Sequence, residues 1–215
     1  MLPKTQQLDK AFDYLLGHLA ITIAGIGLRS GLFAELRRHP DGVSAERLAG
    51  ELGFDPHALK VWCRSAYAFE LLDLDSAARY RLAPHMDVIL LEPLDPAYMG
   101  GRIRMANLSH HDAEAYLGFL QTGRAVTRSE HNSELLAIVA DSSNADAPII
   151  TEEVLPQVPH AIERLESGGR LLDLGAGAGY HVVHYASRFP KASIIGLESD
   201  EPSVAMARSM VSEAG

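Results

Sequence analysis

Asp173, Gly175, Gly177, Gly179 and Glu198 are residues whose types and spacing could do chemistry together. The run from Leu171 to Tyr180 reads Leu-Leu-Asp-Leu-Gly-Ala-Gly-Ala-Gly-Tyr. Its three glycines stand at alternate positions, so a backbone turn there can come close to a ligand with no Cβ in the way. Asp173, two places before the first glycine, would repel a pyrophosphate but accepts a hydrogen bond from an ammonium group. Glu198 follows the turn by about twenty residues, the usual distance for an acid that holds ribose hydroxyls. One carboxylate can accept from both hydroxyls at once. A dinucleotide fingerprint started at Gly175 needs its last glycine where this chain has Tyr180. The set therefore points to a cationic amino-acid nucleoside rather than a dinucleotide.

Two strands and two helices must position these groups. The apolar residues before Gly175 suit a short buried strand, and His181–Phe189 reads as a helix. Ser193-Ile194-Ile195-Gly196-Leu197 reads as a second strand that ends in Glu198, and a helix containing Ala205–Arg208 follows. The first of these units is strand, glycine turn, helix, the general form of a nucleotide-binding corner.

Leu-Leu-Asp-Leu-Gly-Ala-Gly-Ala-Gly resembles motif I of the class I S-adenosylmethionine (SAM) dependent methyltransferases. The segment 194–200, Ile-Ile-Gly-Leu-Glu-Ser-Asp, with Ala205-Met206-Ala207-Arg208, resembles that family's second strand and following helix. The resemblance implies the start of a Rossmann-like doubly wound parallel sheet, SAM as cofactor, and methyl transfer to a small-molecule acceptor. It implies cofactor-binding residues Asp173, Gly175, Ala176, Gly177, Gly179, Glu198 and Ser199. Asp173 is expected at the amino group, directly or through water, and Glu198 at the ribose. The backbone of 175–179 is expected along the methionine and ribose. Methyl transfer from a sulfonium is an in-line displacement that relies on holding the acceptor close, with a base only where the acceptor is protonated. His181 and His184, three apart on one side of their helix, are candidates for that base. Histidines so placed more often cap, pack or face solvent, and the sequence assigns no catalytic residue.

Composition bounds the rest. The chain has 215 residues, 47% of them hydrophobic and 22% charged, an ordinary globular balance. With a formal net charge of −9, broad electrostatic attraction to nucleic acid or an anionic membrane is not expected, which leaves a local basic patch open. The single cysteine, Cys63, has no internal disulfide partner, which fits a reducing, cytoplasmic setting. The apolar run Leu19–Leu28 is shorter than the roughly 20 residues of a spanning helix. It follows Asp9, Asp13 and His18, so it reads as a buried core helix and no membrane is expected.

Upstream, Thr5–Arg29 carries apolar residues at helical spacing, and a second helix runs from Gly31-Leu32-Phe33 to about Arg38. Ser44 is placed to cap a third helix that Gly53 can stop, and Asp55-Pro56 starts a fourth. Leu59, Trp62, Cys63, Ala66, Phe69 and Leu71 give this last helix an apolar side. Leu72–Asp75 and Arg79–Leu82 alternate as a hairpin. The order is that of a winged helix. One use of such a module is DNA binding, but Lys60, Arg64, Arg79 and Arg81 make a thin basic footprint. The other is homodimerisation. A similar winged helix precedes the catalytic domain of bacterial and plant small-molecule O-methyltransferases, and Gly31-Leu32-Phe33, Leu48-Ala49 with Leu52-Gly53, and Leu71-Leu72 resemble its recurrent positions.

The expected architecture is α/β overall. Residues 1–92 form a mainly helical winged-helix and dimerisation domain, 93–155 a helical connector, and 156–215 the first part of the SAM-binding domain. Within the connector, Pro93, Pro96, Gly100 and Gly101 are read as breakers, and Ala113–Leu120 and Ser129–Ala140 as helices. Asp141–Ala147 is read as a polar loop, followed by helical segments at Pro148–Leu155 and Val158–Leu165. His110-His111-Asp112 invites a metal reading. Adjacent histidines point in different directions, however, and no second cluster has ligand spacing, so no metal is expected.

The resembled family has a seven-stranded sheet, whereas only two strands and two helices fit after Arg170. A parallel pair with one helix layer exposes apolar surface. The expectation is an N-terminal part of a longer enzyme. A composite site completed by a second chain and a degenerate non-catalytic relative stay open. So do a winged-helix regulator with a vestigial SAM domain and a dimerisation subunit of another methyltransferase.

Overall fold

The computed structural model describes residues 3–108, 113–124, 138–139 and 141–215. They belong to two compact units, Met1–Glu92 and Pro93–Gly215.

The first unit runs α1 (Lys4–Arg29), α2 (Leu32–Arg37), α3 (Ala45–Leu52), α4 (Pro56–Ala68), β1 (Leu72–Leu74), β2 (Tyr80–Leu82) and α5 (Met86–Leu91). Local signals set the middle boundaries. The Ser44 hydroxyl accepts from the Arg47 N–H at 3.2 Å, and Gly53 ends α3 in the left-handed region. Asp55 accepts from the Ala58 N–H at 2.8 Å, with Pro56 in the first turn of α4. β1 and β2 pair antiparallel with Leu72 opposite Leu82, and Val43 adds a bridge to Tyr80. Phe33, Leu36, Leu48, Cys63 and Leu72 are fully buried at the centre. Trp62 ties α4 to α1: its indole N–H donates to the Ile23 carbonyl at 3.1 Å, and its ring meets Phe33 edge-on at 5.5 Å. A Cβ at Gly27 would lie 2.5 Å from the Phe33 ring, so glycine lets α1 close on this pair.

Two expectations about this unit change. The helix begun at Pro56 stops at Ala68, and Glu70 turns the chain at φ 58°, which leaves Leu71 outside the helix. The apolar run in α1 is core only towards its C-terminal end, where Ala24, Gly25 and Gly27 are buried. Leu8, Phe12, Leu15 and Leu16 are each more than half exposed. Among the described residues, α1 is the one helix long and apolar enough to cross a membrane by length and composition.

In the second unit, α6 (Gly100–Leu108) and α7 (Ala113–Thr122) precede helical residues at 138–139 and 141–143. A short helix, Asp146–Ile149, continues into a π turn, Ile150–Val154, and a 3₁₀ turn, Leu155–Gln157. The helix Ala161–Glu166 then leads to β3 (Arg170–Leu174), the helix Tyr180–Arg188, β4 (Ser193–Leu197) and the helix Glu201–Ala214. Gly100 and Gly101 open a helix instead of breaking one. A Cβ on Gly101 would sit 2.6 Å from the Ser142 backbone, so the glycine serves close packing. The expected loop at Asp141–Ala147 is largely helical and is anchored to α6. Asp141 pairs with Arg104 and accepts from the Tyr98 hydroxyl at 3.0 Å, and Asp146 pairs with Arg102 at 2.6 Å. The expected helix Val158–Leu165 starts only at Ala161. His110-His111-Asp112 and most of the expected helix Ser129–Ala140 lie outside the described residues.

β3 and β4 are parallel, with Leu172 opposite Ile195, Asp173 opposite Gly196 and Leu174 opposite Leu197. They make the first βαβ unit of a Rossmann-like sheet. Gly196 faces the helix Tyr180–Arg188, whose Val182 side chain would meet an added Cβ at 2.8 Å. Asp173 shares that face by register. The opposite face presents Leu172, Leu174, Ile195 and Leu197, which are 48–70% exposed.

Candidate functional site at the glycine turn

The turn sits at the carboxyl end of β3, as the strand–turn–helix pattern requires. Gly175, Gly177 and Gly179 all have positive φ, at 79°, 54° and 87°. The turn is tied to the end of β4: the N–H groups of Gly175 and Ala176 donate to the Leu197 carbonyl at 2.8 and 3.1 Å. Beyond Gly175 and Gly177 an added Cβ would meet open space. These two glycines are therefore required by backbone conformation, and they leave an open wall.

The expected site residues divide into groups. Gly175, Ala176 and Gly177 line a cavity of about 160 Å³, with Ala178, Tyr180, His181, Ser203 and Met206. Its remaining wall is Val139 and Ser143, from the segment preceding the π turn. Gly179 faces away from that cavity, towards Ala207 of the last helix, where an added Cβ would lie 3.0 Å from the alanine methyl. With Ala176 and Glu198 it lines a second groove that includes Gly196 and Arg208. The cavity volume is below the roughly 300 Å³ at which small-molecule pockets begin.

Asp173 and Glu198 are held in opposite ways. One carboxylate oxygen of Asp173, Oδ2, is buried and accepts no hydrogen bond. Buried acceptors normally have a partner, so such an orphan points to a missing donor. Glu198 has several donors: Oε2 accepts from the Gly177 N–H at 2.9 Å, and Oε1 from the N–H groups of Ser199 and Asp200 at 2.7 and 2.9 Å. It thus fastens the glycine turn to the end of β4. Ser199 enters this network mainly through its backbone N–H. Asp200 caps the last helix, accepting from the Ser203 N–H at 3.0 Å and the Ser203 hydroxyl at 2.6 Å.

His181 and His184 pack against the segment that carries the cavity's other wall. His181 Nε2 lies 2.9 Å from the Ser143 carbonyl, and His184 Nε2 lies 3.1 Å from the Thr151 hydroxyl. Burial, and then the neighbouring His181, hold the His184 pKa below its ordinary value. Tyr185 is buried against both rings, and burial with the charges of Asp173 and Asp146 pushes its phenol up to about 12.

Val139, Ser143 and Ser203 line the cavity although the sequence did not single them out, and Met206 was read only as part of the helix after β4. Val139 and Ser143 come from a segment remote from the turn that no local pattern marks. Another grouping was also invisible in the sequence. Glu35, His39 and Glu51 bring three ligand-capable atoms within 4.8 Å of one another in the first unit. Each carboxylate also has an arginine partner, Arg38 for Glu35 and Arg47 for Glu51, so the group reads as a surface ion-pair network.

No family model and no curated protein sequence matches the chain. Solved structures do. An O-methyltransferase family protein from Burkholderia thailandensis superposes with a TM-score of 0.70 at 14% identity, over 100% of this chain and 62% of that one. Mitomycin 7-O-methyltransferase gives a TM-score of 0.70 at 17% identity, over 98% and 63%. Human N-acetylserotonin methyltransferase, solved in complex with SAM, gives 0.61 at 16% identity, over 97% and 63%. The present chain thus spans less than two thirds of the length of these structures. Across that span it has the fold of solved small-molecule methyltransferases.

Proposed function

We propose that the unit Pro93–Gly215 binds SAM and that the protein serves methyl transfer to a small-molecule acceptor. The observation that carries this reading is the buried, partnerless Asp173 Oδ2 beside an open glycine turn. An ammonium group supplies the donor that this oxygen lacks, and a phosphate does not. Gly175, Ala176 and Gly177 would pass along the methionine and ribose portion, with Gly179 setting the start of the following helix. Glu198, with Ser199 beside it, would meet the ribose. There the hydroxyls share a carboxylate that already accepts three backbone N–H groups, so the acid both braces the turn and reads the sugar. Bound SAM would supply an activated methyl group on a sulfonium. The chain's own part is to fix the cofactor's amino group and hold the turn rigid.

The first unit, in this reading, is a winged-helix dimerisation module of a cytoplasmic enzyme. Its basic side chains support that over DNA contact: Lys60 pairs with Glu46, Arg79 with Asp75 and Arg81 with Asp73. The exposed apolar side of α1, including Leu8, Phe12, Leu15 and Leu16, supplies a surface for a second copy.

Calorimetric titration of the whole chain tests the cofactor assignment. SAM is expected to bind saturably at one site and NAD not at all, and Glu198→Gln is expected to weaken SAM. Binding of NAD without SAM would overturn the reading.

A further inference from the structure

We propose that His181 and His184 are positioning residues that clasp the segment 141–154 onto the helix after the glycine turn, and so set the second wall of the turn cavity. The two rings project from one side of the helix Tyr180–Arg188 and reach partners on either side of the short helix Asp146–Ile149. His181 takes the Ser143 carbonyl at 2.9 Å, and His184 takes the Thr151 hydroxyl at 3.1 Å. Ser143 lines the cavity opposite Gly175, Ala176 and Gly177. Thr151 is buried inside the π turn, where regular helical hydrogen bonding is interrupted. The segment's other side is fixed to α6 by Asp141 with Arg104 and by Asp146 with Arg102. The clasp therefore decides how near the wall stands to the turn.

The proton positions follow from the partners. A carbonyl only accepts, so His181 carries its proton on Nε2. Thr151 Oγ1 also lies 3.1 and 3.0 Å from the carbonyls of Ala147 and Pro148; with its one proton given to these carbonyls, as the clasp requires, its oxygen accepts from His184 Nε2. In the clasp both rings act as donors, and Tyr185 packs against each with ring centres 5.9 Å apart. The titratable and charged groups acting on His184 are Glu152 on the π turn and His181 and Arg188 on its own helix.

The proposal rests on the reading that the cavity wall belongs to the cofactor site, but the clasp has a readout that does not. Full-length His181→Leu, His184→Leu, His181→Gln and His184→Gln are compared with wild type by amide hydrogen exchange and by titration with S-adenosylhomocysteine. Glutamine keeps an N–H donor and leucine does not. Exchange at 141–154 is expected to rise about tenfold in the leucine variants, the scale of one intramolecular hydrogen bond. Exchange in β3 and β4 should stay unchanged, and glutamine should restore the wild-type value within about twofold. S-adenosylhomocysteine affinity should fall with the leucine variants and return with glutamine. Thr151→Val removes the hydroxyl at nearly constant shape and serves if a leucine variant does not fold. Combined with His184→Leu it should add little. Unchanged exchange at 141–154, full additivity, or glutamine variants as loose as leucine ones would each overturn the clasp. A wild-type chain that binds no S-adenosylhomocysteine but shows the exchange pattern would remove the cofactor reading and leave the clasp standing.

Discussion

Replacing Asp173 by asparagine separates a ligand-binding acid from a structural one. In the structure Asp173 Oδ2 is buried and accepts no hydrogen bond. A buried polar atom without a partner costs about 1–3 kcal/mol. Asparagine has nearly the same shape and no charge, so the ligand-free unit is expected to gain about 1 kcal/mol. For a chain of this size that gain raises the melting temperature by about 2–4 °C. The opposite holds once an ammonium group occupies the site. A hydrogen bond to a charged group contributes about 1.5–3 kcal/mol, so the variant should bind SAM roughly 10- to 150-fold more weakly. Wild type at a hundredfold excess of ligand over Kd gains about 2.7 kcal/mol, and the variant at the same concentration gains much less. Scanning calorimetry with and without S-adenosylhomocysteine reads both effects, in the transition of the unit that carries β3. A variant that melts lower without ligand and responds to ligand like wild type would refute the reasoning and make Asp173 a strand-end structural acid.

Other perturbations probe the supporting elements. Gly101→Ala puts a methyl 2.6 Å from the Ser142 backbone and is expected to destabilise the second unit by about 1–3 kcal/mol in urea denaturation; an unchanged midpoint would contradict that packing. His184 has its pKa lowered in the folded state, so the neutral ring's contribution is present above the ordinary value of 6.5 and is lost as pH falls through the lowered one. Stability should therefore fall from pH 7 to pH 5, and His184→Gln should flatten that fall. The double variant Phe12→Glu with Leu16→Glu is expected to turn a dimer into a monomer in sedimentation velocity without a loss of helix content. Wild-type protein that sediments as a monomer, or that partitions onto lipid vesicles, would count against the dimer surface.

Much of the first unit was legible because its boundaries are set locally. Ser44, Gly53, Asp55 and Pro56 each specify a helix end through their own hydroxyl, backbone or ring. The β3–turn–β4 unit was legible for the same reason, since strand, glycines and helix follow one another directly. The connector was not. Gly101 reads as a breaker by propensity, but tertiary packing against Ser142 makes a side chain impossible there and a helix acceptable. Asp141 and Asp146 look like loop acids until Arg104 and Arg102, more than thirty residues earlier, neutralise them. The site shows the same division. The turn and its two acids were visible, but the bracing role of Glu198 on Gly177 was not, because it depends on how closely β4 ends beside the turn. The opposite wall, from Val139 and Ser143, rests on contacts that no linear pattern carries.

A crystal structure of the protein with S-adenosylhomocysteine bound is the most direct test. The ligand's amino group is expected within hydrogen-bond distance of Asp173 Oδ2, its backbone-facing side along 175–177, and its ribose at Glu198. A ligand bound elsewhere, or one at the turn with Asp173 Oδ2 still without a donor, would contradict that placement.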